Sequence, residues 1–145
     1  MSSDLSILKT LTDAAMDSVL GYEKAAERAT DERLQQVLRE QASTRRATVQ
    51  ALNEEIVRLG GEPRTRGSAA GAAHRAWAAL ADAFGDSDEN AAERVEEGED
   101  YLCEKFEDAI DEGELSPETL AVVEQAYEEI AEGERITDAL EEAYD

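Results

Sequence analysis

The sequence predicts an all-α fold built as a bundle of four long helices, and three observations carry that prediction. Only two prolines, Pro63 and Pro117, occur in 145 residues, and both fall between long stretches of Ala, Leu, Glu and Arg, which are strong helix formers. Apolar residues recur at three- and four-residue steps through those stretches, the period of a half-buried helix and not the alternation of a strand. The length is that of one domain, and 41% hydrophobic residues spaced through a charged background are enough for a single core.

The first helix is expected over about residues 4–29, with Leu5, Leu8, Ala15, Val19, Tyr22 and Ala26 on one stripe. Thr30 and Asp31 form a short turn, with Asp31 placed to cap the next helix. That second helix, about 31–59, carries Leu34, Leu38, Gln41, Arg45, Leu52, Ile56 and Leu59 in register and stops at Gly60, Gly61 and Pro63. So short a turn makes the pair an antiparallel hairpin. A third long helix, about 88–112, carries Ala92, Val95, Leu102, Phe106 and Ala109 and ends at Gly113. The fourth, about 117–144, has Ser116 as N-cap and Pro117 in the first helical position, then Leu120, Val123, Tyr127, Ile130, Ile136 and Leu140. These two form a second hairpin.

The stretch between the hairpins, residues 60–87, is too long for a tight turn and holds its own helical signal. Ser68 caps an Ala-rich run through Trp77, Leu80 and Phe84, a short helix over about 68–84 that would reach roughly 25 Å at 1.5 Å per residue. It can return the chain to the opposite end. Two antiparallel hairpins joined by one long crossover is the ferritin-like topology, here a single domain spanning 1–145. Gly98 and Gly133 interrupt the later helices at about 1 kcal/mol each, a cost that close approach of another backbone would explain.

Charge narrows the partners. With 36 acidic against 14 basic residues the formal net charge is -22, so phosphate backbones and anionic lipid would repel the chain, and neither nucleic acid nor a membrane is an expected partner. An aromatic content of 5% removes base-stacking platforms, and the apolar runs are too short to span a bilayer. Cations, a basic protein or further copies of the chain, as a homo-oligomer, remain. The excess is uneven: Met1 to Arg75 holds eleven acidic and eleven basic residues, whereas Ala76 to Asp145 holds 25 and three. Arg outnumbers Lys eleven to three, which suits a salt-adapted protein whose charge serves solubility. A single cysteine, Cys103, and a start without a basic and apolar leader point to the cytoplasm.

Inward-facing carboxylates are the most informative candidates, because charged side chains are rarely buried unless paired or bound to metal. Glu99 lies four residues after Val95 and three before Leu102; Glu23 follows Val19 by four; Glu40 follows Val37 by three; Glu124 precedes Tyr127 by three. A turn centred near Asp31 sets Glu23 and Glu40 at similar heights, and the second hairpin would set Glu99 and Glu124 likewise, one carboxylate per helix. Di-iron and di-manganese carboxylate bundles are built this way, with Glu-x-x-His on two of the helices. Here the corresponding segments read Glu40-Gln41-Ala42-Ser43 and Glu124-Gln125-Ala126-Tyr127, without the histidine. Oxygen ligands alone favour Mn²⁺, Fe or Ca²⁺ over a redox site tuned by imidazole. Against this stands chance: in so acidic a chain several glutamates must fall near a stripe, where they pair with Arg or reach water. Arg45 lies on the apolar stripe itself, so a buried Arg and Glu network is the alternative to metal.

His74, the only histidine, reads as a packing residue of the crossover, and Trp77 as its anchor against the bundle. Tyr22 and Tyr127 fill the core or hydrogen-bond the bundle carboxylates, and Cys103 reads as a small buried residue. The sequence has no Gly-rich phosphate loop, no Cys or His cluster and no nucleophile, base and orienter set, so it assigns no catalytic residue.

Several runs together resemble a known family. They are Gly21-Tyr22-x-x-Ala25-Ala26-Glu27, Leu59-Gly60-Gly61-Glu62-Pro63, Gly67-Ser68-x-Ala70-Gly71-x-x-His74-Arg75-x-Trp77, Glu96-x-Gly98-Glu99-Asp100 and Val123-Glu124-x-x-Tyr127. From about Leu5 to Leu140 the chain resembles an uncharacterised bacterial ferritin-like family of four-helix-bundle proteins. The Gly-Gly-Glu-Pro turn and the His-Arg-x-Trp crossover are its most specific parts. The resemblance implies a ferritin-like fold and a link to stress or metal handling, with Tyr22, Glu27, Glu96, Glu99, Asp100, Glu124 and Tyr127 matching the family pattern. Where that family carries a histidine near position 133, this chain has Gly133, a departure that weakens metal binding through the fourth helix. The expectation is therefore a ferritin-like protein binding iron or manganese through Glu23, Glu27, Glu40, Glu96, Glu99 and Glu124, supported by Tyr22, Tyr127, His74 and Arg45. The alternative is a non-enzymatic acidic bundle that associates with a partner.

Overall fold

A computed structural model describes residues 2–65 and 88–144. Four long helices account for most of them: α1 (Ser2–Arg28), α2 (Glu32–Arg58), α3 (Asp88–Asp111) and α4 (Pro117–Tyr144). No strand occurs among the described residues, and no described helix is long and apolar enough to cross a membrane. The short helix expected at 68–84, with His74 and Trp77, lies outside the described residues.

Local chemistry sets the helix ends. Asp31 is extended, with φ -76° and ψ 125°, and its side chain accepts a hydrogen bond from the Leu34 amide at 3.1 Å, the N-cap arrangement. After α2, Gly60 takes φ +89°, a left-handed conformation that glycine adopts without strain. Gly61 is needed for room: a Cβ there would lie 2.7 Å from Leu5 Cδ1. The chain then continues over α1, where Arg64 donates from Nε to Asp13 at 2.8 Å and from its amide to Asn53 Oδ1 at 2.7 Å. Ser116 opens α4 by accepting from the Leu120 amide at 2.8 Å. Its own amide and hydroxyl donate to Asp4, at 3.0 and 2.5 Å. A carboxylate at a helix N-terminus is favoured by the helix dipole, and these bonds hold Asp4 below the usual carboxylate range.

The cross-ties give the direction of each helix. Asp88, at the start of α3, accepts from the backbone of Thr30 and Asp31, and Tyr144, at the end of α4, donates to Asp31. At the other end Asp4 meets Ser116, and Glu55 accepts from Thr119 at 2.8 Å. Thus α1 and α4 run one way, and α2 and α3 the other. The packed neighbours are α1 with α2, α3 with α4, α1 with α3, and α2 with α4. Two antiparallel hairpins lie side by side with α2 parallel to α3, on the diagonal of the bundle.

The core is layered. Toward the Asp4 and Ser116 end it is filled by large apolar residues, among them Leu8, Leu52, Ile56, Leu102, Phe106 and Ile130. Toward the Asp88 and Tyr144 end it is smaller and alanine-rich, with Ala25, Ala26, Ala29, Leu34, Leu38 and Val95. A polar layer of Ser18, Tyr22, Gln41, Arg45 and Glu99 separates the two. In α4 the inward positions are Thr119, Val123, Ala126, Ile130, Gly133 and Thr137. Tyr127, Ile136 and Leu140, expected on that stripe, are only half-buried. The inward line of α4 turns toward its small residues because they leave room for the polar layer.

Candidate functional site

Among the described residues Arg45 is the largest side chain with no exposure at all, placed on α2 where the periodicity calls for an apolar residue. Its guanidinium reaches across the bundle axis to α3 and α4. Nη1 donates to Glu99 Oε1 at 2.8 Å and to Ser18 Oγ at 2.8 Å, and Nη2 donates to Glu99 Oε2 at 2.5 Å. Nε donates to Glu129 Oε1 at 2.8 Å. The planar fork matches the Glu99 carboxylate in two parallel bonds, a geometry an ammonium group would not reproduce. Tyr22 completes the layer from α1. Its hydroxyl donates to Glu99 Oε2 at 2.7 Å, and the guanidinium sits 5.8 Å from its ring centroid. Thr48 donates to Glu129 Oε1 at 2.7 Å. Burial works against the Arg45 charge, but Glu99 more than offsets it and the guanidinium is held protonated above its ordinary value. Burial and the Glu99 charge together push the Tyr22 phenol well up.

Gly133 makes this layer possible. A Cβ there would lie 2.4 Å from Glu99 Oε2 and 2.8 Å from Arg45 Nη2. The mid-helix glycine therefore admits a pair of side chains and not, as its sequence position suggested, another backbone.

The other glutamates expected near the axis are elsewhere. Glu23 is half-buried and pairs with Arg46. Glu27 is exposed, and Glu40 is exposed and accepts from Gln36 at 3.3 Å. Glu124 is exposed, because Val123 and Ala126 take the inward phase of α4, as Gln41 and Ala42 do on α2. Tyr127 is half-buried and donates to Glu107 at 2.5 Å. Of the four carboxylates expected one per helix, only Glu99 reaches the axis, joined there by Glu129, which the periodicity did not single out. A dinuclear carboxylate centre does not fit this layer: the Arg45 guanidinium already stands between Glu99 and Glu129 and supplies the positive charge.

A second cluster lies on the flank between α3 and α4. Glu96 and Asp100 are one turn apart on α3 and face Asp138 on α4, with one oxygen of each carboxyl within 4.8 Å of the others. Glu134 and the buried Cys103 adjoin them, and the thiol hydrogen-bonds the Glu134 carboxyl. Burial, hydrogen bonds to Asp100 and Asp138, and the neighbouring negative charges push Glu96 up to about 9. Burial and Asp100 raise Glu134 to about 7, and burial pushes the Cys103 thiol up. No described basic side chain relieves this crowding. Arg94 pairs with Glu97 at 2.9 Å, Arg135 pairs with Glu132 at 2.5 Å, and Lys105 lies 5.5 Å from the Tyr101 ring centroid. Three carboxyl oxygens so close together suit a hard cation such as Mn²⁺, Fe²⁺ or Ca²⁺. The i, i+4 acidic pairs Glu96/Asp100 and Glu134/Asp138 were the available sequence signal, since like charges at that spacing repel.

Fold and site together define an all-helical bundle with an arginine-closed axis and an acidic flank. Residues 4–112 match the family described as "Domain of unknown function (DUF2383)", and the chain belongs to that family. The match spans α1, α2 and α3 and ends before α4, short of the Leu140 limit that the resemblance suggested. Glu129, Gly133 and Asp138 thus lie beyond it. No curated protein and no solved structure matches the chain.

Proposed function

We propose that this protein is a small ferritin-like bundle that binds a hard divalent cation on the flank of its second hairpin, in a metal-handling role. The convergence of Glu96, Asp100 and Asp138 supports this reading. Burial and the neighbouring carboxyls oppose the charged form of Glu96, so a bound cation would remove repulsion as well as gain ligands. Glu134, beside Asp100 and raised to about 7, is placed to take up a proton released on binding. The up-down-down-up helix order supports the ferritin-like affiliation, while the candidate ligands lie beside the axis and not on it.

Isothermal titration of the full chain with Mn²⁺ tests the proposal. The expected result is saturable uptake near one equivalent that disappears in Glu96→Gln/Asp138→Asn, and affinity that rises between about pH 6 and 9 as the carboxyls release protons. Uptake that does not saturate, or is unchanged in the double variant, would overturn it.

A further inference from the structure

Between α2 and α4, on the face opposite the α1 and α3 pair, lies an open groove of about 780 Å³. It exists because the helix surfaces along it are small. Ala47 and Ala51 on α2, with Val122 and Ala126 on α4, form an apolar floor, and the first two are exposed positions where a surface helix ordinarily carries long polar side chains. Glu54 rises on the α2 lip and Glu128 on the α4 lip, both exposed. Neither has a basic partner among the described residues, whereas the deeper carboxylates are committed, Glu55 to Arg58 and Thr119, and Glu129 to Arg45 and Thr48.

Charge selects the occupant. A second copy meeting groove to groove would set Glu54 and Glu128 against their own counterparts in a chain of net charge -22. The described start of the link that follows α2 runs over the face between α1 and α2, with Gly61 against Leu5 and Ile56, and Arg64 on Asp13 of α1 and Asn53 of α2. We propose that the groove docks a basic amphipathic helix of a partner protein, with its apolar stripe on Ala47, Ala51, Val122 and Ala126 and its Arg or Lys side chains reaching Glu54 and Glu128. The small floor lets the incoming helix approach closely, and the two carboxylates fix its register and speed its encounter.

The probe is a fluorescent synthetic helix with an Ala and Leu stripe flanked by Arg and Lys, set against an otherwise identical peptide flanked by Glu. Fluorescence anisotropy with the full chain is expected to show saturable binding of the basic peptide alone. Ala51→Phe fills an exposed position of the groove and is expected to weaken binding about tenfold, and Glu54→Gln/Glu128→Gln roughly threefold, the scale of two exposed ion pairs. Glu104→Gln/Asp108→Asn removes as much charge from exposed positions of α3, outside the groove, and is expected to leave affinity unchanged. Circular dichroism confirms that each variant is folded. Absence of binding, equal losses in the groove and α3 variants, or self-association of the chain that Ala51→Phe abolishes would each overturn the proposal, the last in favour of a second copy as occupant.

Discussion

Glu96 and Glu99 lie one turn apart on α3, yet one looks out to an acidic flank and the other into a sealed axial layer. Glu99 has no exposure and is held by Arg45 and Tyr22; Glu96 is half-buried among Asp100 and Asp138. The difference is made by the other hairpin. Arg45 crosses from α2 and neutralises what α3 and α4 present at the axis, whereas the few basic residues of α3 and α4 are engaged away from the flank. A glutamate on an inward stripe is therefore not a metal ligand by position alone. What reaches it from the neighbouring helix decides whether it is an ion pair or a free carboxylate.

Removing the axial cation should break this contrast most sharply. Arg45→Ala leaves Glu99 buried without its partner and is expected to cost about 3–5 kcal/mol of stability in urea unfolding, while replacing Arg45 and Glu99 together by Met should cost clearly less than the two single changes summed. Gly133→Ala comes next. Its added methyl collides with both partners, and an expected loss of about 1–3 kcal/mol, read in the same experiment, would place it among overpacked core substitutions. On the flank the sign reverses: Asp138→Asn removes repulsion and should stabilise the chain by about 0.5 kcal/mol at about pH 10, above the point where Glu96 ionises, with no gain at pH 5, where Glu96 is protonated.

Stability against pH separates the two regions further. Glu96 holds its proton up to about 9 in the folded chain but loses it near pH 4 to 5 when unfolded, about the ordinary value of a glutamate. The unfolded chain thus binds fewer protons across that interval, and this contribution to stability falls as pH rises. Asp4 and Glu55 act in the opposite sense. Their pKa values are lowered, by the Ser116 hydroxyl and by Arg58, so the stability they supply is present above the ordinary carboxylate range and lost as pH falls through their folded values. Thermal unfolding across pH should therefore show a maximum near about pH 5–6, and the decline above it should flatten when Mn²⁺ is added.

Much of the fold could be read from the chain because its punctuation is local. Asp31, Gly60 and Ser116 act through bonds or dihedral angles within a few residues of themselves, and the stripes of α1, α2 and α3 follow simple periodicity. The α4 stripe was harder to read, since its inward line is set by Gly133, Ala126 and Thr137 making room for side chains from α2 and α3. The axial layer was legible in parts: Arg45, Glu99 and Tyr22 each stood out on an apolar stripe. Their convergence, and the entry of Glu129, depend on helix rotation that no single helix encodes. Glu40 and Glu124 misled for the same reason, a shift of one residue between an inward and an outward position. The charge split between the halves of the chain was plain in composition, but only packing shows that α2 sends a cation across it.

The most direct test is the anomalous-scattering map of crystals grown with Mn²⁺. A single peak between α3 and α4, within coordination distance of Glu96, Asp100 and Asp138 and with Arg45 still bound to Glu99, is the expected result. A peak on the bundle axis between Glu99 and Glu129, with Arg45 displaced, would contradict it.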